Sequence, residues 1–173
     1  MAVLQVLKFP NPVLKQKSAP VTQYDSDLGE LAQAMLETMY VEGGIGLAAV
    51  QVGQLKRLIV VDARDGAGKG EAEQRNPFTY VNPRILESNG ELVTEEGCLS
   101  VVEFTAEVKR AEQVLLEFEN LAGETRQEWV EGVKAVCVQH EIDHTNGKLF
   151  IDHLPLVKRQ MVKKRLAKLA RSA

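Results

Sequence analysis

The run His140-Glu141-Ile142-Asp143-His144 constrains this 173-residue chain more than any other. On a helix, positions i and i+4 share a face, so both imidazoles can reach one metal ion. Glu141 projects beside them, where a carboxylate can take a proton from water at that ion. The pattern predicts a helix from about 132 to 144, stopped near Asn146-Gly147. Val133, Val136 and Cys137 give it an apolar face, which the two histidines extend; the chain has only one other histidine, His153. A pair of merely structural helix histidines is the plainer reading of the same letters.

Two histidines do not hold a catalytic metal alone, and a third protein ligand is expected. Downstream of His144 the chain offers Asp152 and His153 but no glutamate, in a tail that turns basic. Upstream lies Glu95-Glu96-Gly97-Cys98-Leu99-Ser100. A thiolate there, on a loop between strands, can close a Cys-His-His set and leave a fourth position for water. Cys137, between Val136 and Val138, reads instead as a small buried apolar residue. The neighbours of Cys98 are acidic, glycine and serine, which does not suit a core position.

A third element is Gly43-Gly44-Ile45-Gly46-Leu47-Ala48-Ala49-Val50-Gln51-Val52-Gly53. Its glycines allow close approach by another backbone. No Gly-Lys-Ser/Thr follows, so it is not a phosphate loop. By itself it predicts a helix end followed by a tight turn, ahead of a polar Gln51.

Asp25-Ser26-Asp27 can cap a helix whose apolar positions Leu28, Leu31, Met35, Leu36 and Met39 recur at helical spacing, ending at Gly43-Gly44. Pro10-Asn11-Pro12 forbids a regular element. Strands are predicted at 58–61, 78–81, 84–86, 91–95, 107–109, 114–118 and 126–130, with a break at Asn82-Pro83 and a turn at 120–124. Residues 63–76 read as a polar, Gly-rich surface loop, and a last helix starts at about Pro155. Helix, many short strands, then helices predicts an α+β fold. Mixed or antiparallel sheets are expected around a central HExxH helix, flanked by an N-terminal and a C-terminal helix. The length suits one domain, 1–173, of which 154–173 form the basic C-terminal helix.

An apolar fraction of 45% and a charged fraction of 26% exclude extended disorder and a coiled-coil rod. No stretch approaches the ~18–20 apolar residues of a membrane span. No basic region leads into an apolar run at the N-terminus, so a cytoplasmic protein with reduced cysteines and no membrane partner is expected. The net charge of −3 hides an asymmetry: residues 1–153 carry 14 Lys/Arg against 24 Asp/Glu, and residues 154–173 carry seven cations and no acid. Such a tail invites a polyanionic partner; a solvated helix whose cations suit its C-terminal dipole is the alternative.

Together, the three elements resemble peptide deformylase, the family that removes the formyl group from the N-terminal methionine of new bacterial proteins. Its motifs Gly-x-Gly-Leu-Ala-Ala-x-Gln, Glu-Gly-Cys-Leu-Ser and Gln-His-Glu-x-Asp-His stand here at 44–51, 96–100 and 139–144. The resemblance covers essentially the whole chain, including Val81-Asn82-Pro83 and the basic C-terminal helix. It implies a metal-dependent hydrolase that releases formate from N-formylmethionyl nascent peptides. By resemblance, Cys98, His140 and His144 bind one divalent metal, physiologically Fe²⁺, with Zn²⁺, Ni²⁺ or Co²⁺ as alternative occupants. Glu141 is implied as the base, and the Gln51 amide and the Leu99 backbone N–H as donors to the negative oxygen. The peptide is implied to lie extended along Gly44, Ile45, Gly46 and Gly97, with Val136 and Cys137 walling the methionine pocket. The basic tail is implied to dock on the ribosome, and a monomer is expected.

Two positions depart from the family pattern: Val102 stands where members carry Pro, and Thr145 where they carry Leu. They bear on pocket shape and local packing. Two other classes share part of the pattern. A zinc endopeptidase needs a downstream third ligand and has no use for Cys98. A catalytically silent formyl-peptide-binding relative would lack Glu141 or Gln51.

Overall fold

The computed structural model describes residues 3–63 and 75–172. Most of the Gly-rich stretch read as a surface loop, 63–76, lies outside the described residues. Three α-helices and seven strands follow in the order α1 (Ser26–Val41), β1 (Gly46–Ala48), β2 (Leu58–Val61), β3 (Phe78–Asn89), β4 (Leu92–Cys98), β5 (Val101–Arg110), β6 (Gln113–Glu119), β7 (Thr125–Glu131), α2 (Gly132–Thr145) and α3 (Leu156–Ser172). The α+β class is as expected. Every strand pairing is antiparallel: a five-stranded sheet in the order β1-β2-β3-β6-β7, and a separate β4-β5 hairpin.

The run Leu58-Ile59-Val60-Val61 explains the layering. Side chains alternate across a strand, so Leu58 and Val60 meet Leu28, Ala32, Met35 and Met39 of α1. Ile59 and Val61 face the other way, onto Cys137, Val138 and Ile142 of α2. A strand buried on both faces reads as unbroken apolar sequence. The Asp25 side chain caps α1 by accepting from Leu28 N–H at 3.1 Å. Of the apolar stripe read for that helix, Leu28, Met35 and Met39 are buried, while Leu31 and Leu36 are half-buried. Helix α3 reaches the body through Val162 and Leu166, which join Leu14, Val101, Val108 and Phe150.

Three local expectations are corrected. Residues 78–81 and 84–86 belong to one strand, β3, with a bulge between Val81 and Arg84 in place of a break. Asn82 takes φ 49°, tolerable for Asn, and its side chain both accepts from Val21 N–H and donates to Val21 C=O. The Gly43-to-Gly53 element is more than a helix end and turn, since Gly46–Ala48 forms β1. Pro10-Asn11-Pro12 gives way at once to a short 3-10 turn, Pro12–Lys15, in which Pro12 sits in the first turn, where no backbone N–H is required.

Candidate active site

Helix α2 is central because it is buried on most sides: nine of its residues, His140, Glu141 and His144 among them, are withdrawn from solvent. It packs on β1, β2, β6 and β7. The β4-β5 hairpin brings its turn to the same place. Cys98 Sγ lies 3.4 Å from His144 Nε2, and His144 Nε2 lies 3.3 Å from His140 Nε2. All three donor atoms fall within 4.8 Å of one another. A tetrahedral centre with metal–nitrogen bonds of about 2.0–2.1 Å has ligand–ligand edges of about 3.3 Å, so the two imidazoles are spaced as neighbours on one ion. One thiol and two imidazoles suit Zn²⁺, Fe²⁺ and similar divalent ions. The donor set fits a metal.

The imidazole of His140 is held from behind. Its Nδ1 lies 2.9 Å from Glu96 Oε1, which leaves Nε2 for the cluster. Arg110 grips Glu96 with two hydrogen bonds of 2.8 Å, and donates a third to Asp143 at 2.7 Å. Burial would raise the Glu96 carboxyl, but Arg110 and His140 hold it down at about 2. Burial opposes charge on His140 too, yet Glu141, Cys98 and Glu96 outweigh it and raise its pKa well above the usual range. His144, deeper and beside His140, is pushed well below.

Glu141 sits next to the cluster without ligating it. Its Oε1 is buried and makes no hydrogen bond. Burial pushes its carboxyl up to about 7, against the pull of His140. That is the state of a base poised for proton transfer near neutral pH. Gly46 permits this placement: a Cβ there would lie 2.6 Å from both Glu141 Oε2 and Cys137 Sγ.

A cavity of about 530 Å³ opens onto these groups. Gly44, Ile45, Gly46, Gln51, Gly97, Cys98, Leu99, Val136, Cys137, His140 and Glu141 all line it, and His144 lies behind. The structure therefore brings together every site residue read from the sequence. Gln51 is buried; its Oε1 accepts from Ala48 N–H at 3.0 Å, and its Nε2 donates to Ser100 Oγ at 3.0 Å and faces Cys98 Sγ at 3.6 Å. Cys137 is buried, as read, and burial raises its thiol pKa well above normal.

The downstream ligand that a zinc endopeptidase would need is not in the cluster. Asp152 pairs with Lys163 at 2.8 Å, and His153 with Asp143 at 2.8 Å. Of the two departures, Val102 is exposed and lies off the cavity wall. Thr145 is buried, donating to Ile142 C=O at 2.6 Å and accepting from Arg57 at 3.1 Å, so its hydroxyl is satisfied. Sequence reasoning missed Arg110 and Asp143 as parts of the site, and it quoted Glu96 and Ser100 without roles.

The sequence profile described as polypeptide deformylase matches residues 3–160. A peptide deformylase of Phenylobacterium zucineum is 47% identical over 175 residues, covering 100% of both chains. The crystal structure of a peptide deformylase from Legionella pneumophila superimposes with a TM-score of 0.86 at 40% identity, covering 98% of this chain and 96% of that one. A Met-Ala-Ser-bound crystal structure of a class I type b peptide deformylase from Acinetobacter baumannii gives a TM-score of 0.81 at 38% identity, over 88% of this chain and 99% of that one.

Proposed function

The chain belongs to the polypeptide deformylase family, and from that premise we propose how its own residues carry out the reaction. The enzyme removes the formyl group from the N-terminus of newly made peptides, in a metal-dependent family. Our reading assigns Cys98, His140 and His144 as the ligands, with Fe²⁺ as the physiological ion and Zn²⁺, Ni²⁺ or Co²⁺ as substitutes. One observation carries it: a thiol and two Nε2 atoms converge beside a buried carboxylate oxygen that nothing else satisfies.

When bound, the metal supplies Lewis-acid polarisation. Glu141 takes the proton of the attacking water, which adds to the formyl carbon, and then delivers that proton to the leaving amine. Gln51 has one N–H on Ser100 and a second aimed only at sulfur, so the second is available to the developing oxyanion. The backbone N–H of Leu99 is assigned as the other donor. A donor of this kind is worth about 10²–10³ in rate.

The substrate reading follows from the cavity walls. A peptide adding as a strand along Gly44-Ile45-Gly46 and Gly97 is held by its backbone, which tolerates varied sequences. Its methionine side chain rests on Val136 and Cys137. The Met-Ala-Ser held by the Acinetobacter baumannii relative is a peptide of the class such a reaction would release. Among the described residues no helix is long and apolar enough to cross a membrane. We assign a single-domain, cytoplasmic monomer that works on chains leaving the ribosome. The seven cations of its last 20 residues supply the attraction to a polyanion. Formate assay with formyl-Met-Ala-Ser and acetyl-Met-Ala-Ser tests the reading. Formate from the first with no cleavage of the second is expected; hydrolysis of internal peptide bonds instead would favour an endopeptidase.

A further inference from the structure

The segment Leu7-Lys8-Phe9 reaches the site from outside and touches both residues assigned as oxyanion donors. Leu7 N–H donates to the Gln51 carbonyl and Phe9 N–H to the Ser100 carbonyl, each at 2.7 Å. Between them, the Lys8 ammonium donates to the Leu99 carbonyl at 2.6 Å. Three successive residues grip three carbonyls of the two loops that carry the donors.

The second of those loops needs such a grip. Cys98 pairs with Val101, so Leu99 and Ser100 form a two-residue hairpin loop. Loops of this length match the strand twist when one or both central residues have positive φ. Neither Leu99 nor Ser100 does, and neither is glycine. Its own backbone therefore does not favour this turn, and contacts from elsewhere hold it. Gln51 Nε2 donates to Ser100 Oγ at 3.0 Å, Phe9 holds the Ser100 carbonyl, and Lys8 holds the Leu99 carbonyl.

We propose that Lys8 is a positioning residue for deformylation: by holding the Leu99 carbonyl, its ammonium keeps the Leu99 N–H where the oxyanion develops. This rests on the assignment of Leu99 as a donor. Lys8 is exposed, and its neighbours are tied by backbone hydrogen bonds, so replacing its side chain removes one contact and leaves the segment in place. The oxyanion exists only in the transition state, so the loss falls on kcat.

The test compares wild type, Lys8→Met and Lys8→Arg on formyl-Met-Ala-Ser, with metal content and Tm measured on the same preparations. Lys8→Met is expected to lower kcat about three- to tenfold, the effect of one charge-assisted surface hydrogen bond. KM, metal content and Tm stay unchanged, and Lys8→Arg, which keeps a cationic donor on a long side chain, recovers most of the rate. A wild-type kcat in Lys8→Met overturns the proposal. So does a loss that appears only in KM, that tracks metal loss, or that Lys8→Arg does not recover. A metal-loaded wild type that releases no formate would overturn the functional reading instead, so the two failures are distinct.

Discussion

Glu96 stands 2.9 Å behind His140, its Oε1 against the imidazole Nδ1, and is itself clamped by Arg110. The arrangement links both halves of the metal site. Glu96 lies two residues before Cys98 on β4, while Arg110 also reaches Asp143, one residue before His144 on α2. A single buried guanidinium thus fixes the strand that carries the thiol against the helix that carries the imidazoles.

Removing that support should loosen the metal without removing a ligand. Glu96→Gln or Arg110→Met is expected to weaken metal affinity about 10–100-fold, the usual cost of losing such a partner. Competition with a chelator of known affinity measures it. Unchanged affinity in both variants would show that His140 needs no orientation from Glu96.

The same carboxylate sets an acid limit on the metal-free protein. Glu96 titrates at about 2 in the fold against 4.5 for a free side chain. Its contribution is therefore complete above about pH 4.5 and is lost as the pH falls toward 2. Urea midpoints at neutral and acid pH should drop less in Glu96→Gln than in wild type. Equal drops would assign the acid limb to other groups.

The two cysteines should separate cleanly. Cys98→Ala is expected to lose metal and formate release together. Cys137→Ala should keep its metal while losing packing, about 1 kcal/mol in stability, and part of the wall on which the substrate methionine rests. Metal analysis of both variants after anaerobic purification decides it, and a fully loaded Cys98→Ala would remove Cys98 from the ligand set.

Gly46→Ala probes the closeness of β1 to α2. The added Cβ would lie 2.6 Å from Glu141 Oε2 and Cys137 Sγ, so the base or the strand must move. A displacement of about 1 Å costs on the order of 10² in rate, and kcat/KM should fall by that order while metal content holds. Wild-type turnover would mean that the contact has slack.

Much of this site could be read from the sequence because its chemistry is local in the chain. Spacing on one helix aligns His140 with His144, and acidic neighbours mark Cys98 as unlike Cys137. The β2 run was legible because both of its faces are buried. What escaped depends on long-range pairing. Nothing near Arg110 in the sequence announces that it will meet Glu96, 14 residues away, and Asp143, 33 residues away. Asn82-Pro83 reads as a break, but the hydrogen bonds between the Asn82 side chain and Val21, with Asn82 N–H on the Arg57 carbonyl, hold the chain where the strand continues through a bulge. Gly46 reads as turn material, but β1 forms because Leu47 finds a register opposite Val60.

The central claim is that Glu141 moves the proton and holds no metal. Formate release from formyl-Met-Ala-Ser by a Glu141→Gln protein carrying one metal ion per chain tests it most directly. The account predicts a loss of about 10²–10⁴-fold relative to wild type at the same loading. Turnover near wild type by that variant would contradict it.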